Sequence, residues 1–186
     1  MKKTLLTLGV VLGLTLNCTA VDSAAVGSHN ASYHAAGKAV VEMVINKKVD
    51  AAEVQKKVDI MTADALWFAN EYSAANPSGA KLIKAIIDNL ETMKKSSFKE
   101  IEHDWHDLHH FDTVTDLGLD IKAEENEHFT DPIHTLVHPL LVLKAAQSYT
   151  TSKSEDDLKS MKEEMEEGLE QCQKMASALN KKVASK

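Results

Sequence analysis

Apolar positions in this chain recur every three or four residues rather than every two, a pattern that predicts helices throughout and no strand. Val40, Val41 and Val44 mark a first helix over about 32–48. Val54, Val58, Met61, Ala65 and Phe68 mark a second, which starts near Asp50 and ends in the Asn76-Pro77-Ser78-Gly79 turn. The third takes Ser78 as N-cap and buries Leu82, Ile83, Ile86, Ile87, Leu90 and Met93. Phe98, Ile101, Trp105 and Leu108 prolong that stripe towards Phe111, and Ser97-x-x-Glu100 is a capping-box pattern at which the helix can break. Residues 112–130 read as a loop with one helical turn near 122–127. Asp131-Pro132 opens a fourth helix, with Pro at its first position and Pro139 inside it as an expected kink. The fifth opens at Ser152-x-x-Glu155. Its seam of Leu158, Met161, Met165, Leu169, Cys172, Met175 and Leu179 is narrow, as in a bundle.

Short connections between amphipathic helices favour antiparallel neighbours. The pattern therefore predicts an all-α, up-and-down bundle of four main helices, with the first helix as a leading element. It forms one domain over 31–186, after a flexible lead over 21–30.

The first twenty residues break this rhythm. Lys2 and Lys3 precede an apolar run from Leu5 to Leu16, and small or polar residues follow through Ala20. This is the pattern of a cleaved secretory signal peptide, with cleavage after Ala20 and a second option after Ala25. The run is short of the roughly 20 apolar residues that a membrane span needs, so no span is expected in the mature chain. The expected location is periplasmic or extracellular. Cys18 could carry a lipid anchor, although Asn17 before it departs from the usual small residue. Loss of the leader leaves Cys172 alone, with no intramolecular disulfide.

Charge narrows the partners. The formal charge is −7, and all 21 cations are lysines, with no arginine in the sequence. The rigid fork that grips phosphates and carboxylates is missing, and no basic footprint exists for nucleic acid. No Cys-x-x-Cys-His, phosphate loop, HExxH or nucleophile motif occurs, so no catalytic residue is assigned.

Seven of the nine histidines fall between 103 and 138. His106-x-x-x-His110 and His134-x-x-x-His138 each place two imidazoles one turn apart on a helical face, a spacing that suits a shared Zn, Cu or Ni ion. On a wheel of about 100° per residue, Glu102, His106 and His109 flank the core stripe of the third helix, while His103 and His110 point further towards solvent. His134 and His138 flank the Ile133, Val137, Leu140 stripe of the fourth. The expected metal ligands are thus Glu102, His103, His106, His109 and His110 from one helix and His134 and His138 from the next. Asp104, Asp107, Asp112 and Asp131 are available to orient the rings. Protons compete with metal for imidazole, so affinity should fall below about pH 6.

The histidines could be incidental or pH-responsive surface residues of an envelope interaction protein. Glu100-x-x-His103 and Glu125-x-x-His128, with Glu42 and Glu71, approach the ligand pattern of a carboxylate-bridged di-iron bundle. Cys172 and Met161, Met165 and Met175 read as core, and the run Lys162 to Glu167 as a solvated helix face.

Overall fold

The computed structural model describes residues 21–114 and 116–184, and over these it is all-helical, with no strand. The long helices are α1 (Ser23–Ile45), α2 (Ala51–Ala75), α3 (Ala80–Lys95), α5 (Thr130–Ser152) and α6 (Glu155–Ala184), with a short α4 (Phe98–Ile101) between α3 and α5. The leader, its cleavage site after Ala20 and Cys18 lie outside the described residues. No described helix is long and apolar enough to cross a membrane.

α1, α2, α5 and α6 pack side by side. α1 and α6 run antiparallel, as their pairings show: Ser23 Oγ lies 2.8 Å from Asn180 Oδ1, Asn30 Nδ2 3.1 Å from Gln173 Oε1, and Lys47 Nζ 2.5 Å from Glu155 Oε1. The end of α2 meets the start of α5, where the Tyr72 hydroxyl donates to the His128 carbonyl over 3.1 Å. The four helices therefore alternate in direction, and residues 77–129 form an excursion that leaves and rejoins one end of the bundle. This corrects the expected division of labour: α1 is a full member of the bundle, and α3 is the added element.

Two boundaries depart from the sequence reading. α1 starts at Ser23, so the expected lead over 21–30 is largely helix. Asp22 caps it by accepting from the Ala24 N–H at 2.9 Å. The apolar stripe is faint there because α1 is rich in Ala and Gly, which pack closely without a strong pattern. Ser78 is not the cap of α3, because Pro77–Gly79 forms a 3₁₀ turn first and Gly79 takes that place. The third helix also does break at Ser97, through a complete capping box with Glu100.

α5 is the centre of the molecule. It is buried on nearly every side, from Pro132 and Ile133 through Tyr149, because α2, α6, α3 and α4 all pack on it. Pro139 has no N–H to give to the Thr135 carbonyl four residues back. The buried Tyr33 hydroxyl of α1 donates to that carbonyl instead, at 3.0 Å. Where α5 meets α6, Gly168 permits the approach: a Cβ there would lie 2.9 Å from the His138 Cβ and 3.2 Å from the Tyr33 oxygen.

One polar pair lies apart from the histidine cluster. His29 Nδ1 of α1 is 2.7 Å from Asp64 Oδ1 of α2, and its ring stacks on Trp67 at 4.2 Å. The other carboxylate oxygen of Asp64 is buried without a hydrogen-bond partner.

Candidate metal centre

The segment after α4 decides where the histidines go. The Asp107 N–H donates to the Glu102 carbonyl at 2.8 Å, five residues back, so Glu102–His106 is a π turn. Leu108 then adopts the left-handed conformation (φ 65°, ψ 15°), and a 3₁₀ turn follows over His109–Asp112. A non-glycine residue in that region costs on the order of 1–2 kcal/mol. Burial of Trp105 and Phe111 on either side offsets it.

These two departures dismantle the expected His106/His110 pair. His110 stacks on Trp105 with centroids 4.0 Å apart, where burial lowers its pKa. His109 folds back onto His103, at 4.4 Å. Only His106 turns towards α5, where it lies parallel to His134 at 4.8 Å and edge-on to His138 at 5.2 Å. The second expected pair, His134 and His138, does share one face, with centroids 5.5 Å apart.

His138 is the centre of this group. Its side chain is 1% exposed, and its Nδ1 lies 2.8 Å from Glu164 Oε2 of α6. An ionised carboxylate only accepts, so Nδ1 donates to it, and in the neutral ring Nε2 carries the lone pair. That Nε2 is buried and has no hydrogen-bond partner. Leaving such an acceptor unmatched costs on the order of 1–3 kcal/mol. Glu167 Oε2 lies 3.9 Å from that nitrogen. His106 repeats the arrangement: Asp107 Oδ1 takes its Nδ1–H at 3.1 Å, leaving Nε2 free. One ligand atom each from His106, His138 and Glu167 lies within 4.8 Å of the others. An ion with bonds of about 2 Å sets tetrahedral ligands about 3.3 Å apart. The spacing is thus up to about 1.5 Å wider than a closed set, and the Glu167 side chain, 60% exposed, is the least confined of the three.

His134 completes the wall. It donates from Nε2 to the His106 carbonyl at 3.1 Å. Burial, then repulsion from His106 and His138, hold its pKa down at about 4, so it is neutral at ordinary pH. On its far side it lines an open pocket of about 500 Å³ with Glu124, Glu127, Asp131 and Lys174.

Of the expected ligands, the structure gathers His106 and His138, with His134 against them. Glu102 is exposed and outside the grouping, while His103, His109 and His110 are turned away by the π turn and Leu108. Asp104, Asp107 and Asp112 each accept from a histidine Nδ1, as their spacing suggested, whereas Asp131 holds none. The carboxylates of the di-iron pattern do not assemble among the described residues: Glu100 closes the capping box and Glu42 is exposed. Cys172, as expected, is a buried core thiol, with its pKa pushed up to about 12 by burial and the nearby Asp64.

Glu164 and Glu167 are not among the expected ligands, because they lie in the Lys162–Glu167 charge run, which reads as a solvated helix face. A glycine inside a 30-residue helix, Gly168, was the available signal that another element approaches there. No family model, curated protein or solved structure matches this chain.

Proposed function

We propose that this chain is an exported helical-bundle protein that binds a transition metal of the Zn, Cu or Ni class at His106, His138 and Glu167, for carriage, buffering or sensing. One observation carries the reading. The buried Nε2 of His138 has no partner inside the fold, its lone pair is fixed by the Glu164 carboxylate behind it, and two further ligand atoms lie close by. A carboxylate behind a histidine is the usual way a ligating imidazole is oriented. Three protein ligands leave a coordination position open, which suits exchange of the ion better than permanent structural retention. Export rests on the leader pattern. Cleavage after Ala20 fits the bundle, since a cut after Ala25 would remove the Asp22 cap of α1.

A second reading has its own support. A protonated His138 would pair with Glu164 and face the exposed Glu167, and the protein would then be a structural or interaction bundle without a metal. Elemental mass spectrometry on untagged protein separates the two. Near-stoichiometric metal that disappears in His138→Ala supports the first. Mixed traces that a weak chelator removes, unchanged in His138→Ala, establish the second.

A further inference from the structure

We infer that His134 is the positioning residue of the metal centre: it fixes the ligand His106 from outside the coordination sphere and is not itself a ligand. This rests on the reading of His106, His138 and Glu167 as the ligand set, an inner centre where α5, α6 and the π segment meet.

The two imidazole ligands are held very differently. His138 stands on a buried, regular stretch of α5, and its ring is tied to Glu164 on a neighbouring helix. His106 closes an irregular segment, and its ring is tied by a hydrogen bond to Asp107, the next residue along the chain. That bond decides which nitrogen carries the proton. It does not decide where the ring stands relative to His138, because Asp107 moves with His106 and is itself half exposed (51%).

His134 supplies the missing tether at two points. The left-handed Leu108 ends the π turn, so the His106 carbonyl accepts no backbone N–H among the described residues. The Nε2–H of His134 takes that place, over 3.1 Å. The same ring lies against the ring of His106, with planes 14° apart and centroids 4.8 Å apart. One imidazole thus grips both the backbone and the side chain of the ligand residue. A carbonyl only accepts, so Nε2 of His134 carries a proton and has no lone pair to give to an ion. Neither nitrogen of His134 belongs to the group formed by His106, His138 and Glu167.

One turn of α5 therefore places both imidazole ligands, His138 directly and His106 through His134. Ligands are held to within about 0.5 Å of a productive geometry only when such supporting contacts lock them. A rigid helix here does for His106 what the irregular segment around it does not.

Ni²⁺ affinity, measured by competition with a chelator, and X-ray absorption of the Ni²⁺-loaded protein together test this. The absorption spectrum of wild-type protein should show two imidazoles on the ion. His134→Asn is too short to reach the carbonyl and should weaken binding about 10- to 100-fold. His134→Gln, whose amide nitrogen reaches the position of Nε2, should restore most of that loss and still show two imidazoles. Circular dichroism checks that both variants keep their helices. Three imidazoles in wild-type protein and two in His134→Gln overturn the inference and make His134 a ligand; this count decides the matter even where His134→Asn does not fold. Equal losses in the two variants, or none in His134→Asn, also overturn it. The parent reading fails separately: Ni²⁺ binding that His138→Ala leaves unchanged sinks the inner centre, and the role of His134 with it.

Discussion

Two histidines in this molecule pair with carboxylates on a neighbouring helix in mirror-image fashion. His29 meets Asp64 at 2.7 Å, with the acid buried (9% exposed) and the imidazole one-third open. His138 meets Glu164 at 2.8 Å, with the imidazole buried (1%) and the acid nearer the surface (17%). The bond is the same, but the free end differs. His29 lays its ring on Trp67 and belongs to no group of three ligands among the described residues. The Nε2 of His138 faces His106 and Glu167. A histidine held by a carboxylate is therefore not by itself a site. Where the second nitrogen points, and what else converges there, decides whether the pair clasps two helices or prepares a ligand.

The largest effect that separates the two pairs should come from His138→Ala. It is expected to cut affinity at the inner centre by at least about 100-fold, read by metal titration, while His29→Ala leaves that affinity unchanged. Equal losses in both variants would erase the distinction.

Acid should next strike the inner side selectively. In metal-free protein the folded pKa of His134 is about 4, against an ordinary 6.5 when unfolded. Between those values the unfolded chain takes up a proton that the folded chain refuses. This part of the stability is therefore intact above about pH 6.5 and is lost as pH falls, by about 3 kcal/mol at pH 4. Urea unfolding across this range should show the slope, and His134→Gln should flatten it.

His29→Ala should cost about 2 kcal/mol of stability in the same assay, because it strands a buried carboxylate. Metal content should stay at the wild-type level. Glu164→Gln should keep the fold but lower inner-site affinity about 10-fold, since an amide holds the His138 proton less firmly. Ser97→Ala should have the smallest effect, about 1 kcal/mol from loss of the cap, with a modest fall in affinity because the π segment carrying His106 starts there.

The regular part of the molecule was legible in the sequence, and the irregular part was not. Asp50 and the Ser97-Glu100 box announce helix starts through side-chain chemistry that a reader can recognise. The His134/His138 pair survives because α5 keeps α-helical spacing through it. His106/His110 fails because a π turn leaves no mark in residue identity, and Leu108 is an unremarkable residue in an uncommon conformation. The bundle's register is equally hidden. Glu164 and Glu167 follow the same local rules as the other acids of α6, and only the close approach at Gly168 places them beside His138.

The proline in α5 also bears on the order in which the fold is completed. At its midpoint α5 lacks one backbone donor, and the group that replaces it, the Tyr33 hydroxyl, lies 102 residues earlier in the chain. No local event can finish this helix. The first helix must meet α5 across 102 residues of chain before the turn beside His138 is satisfied, and contacts of such separation form late because their loops are costly to close. Assembly of the inner centre is thereby tied to the docking of the N-terminal helix. A chain synthesised from its N-terminus carries the missing donor from the start, but can use it only once α5 has emerged.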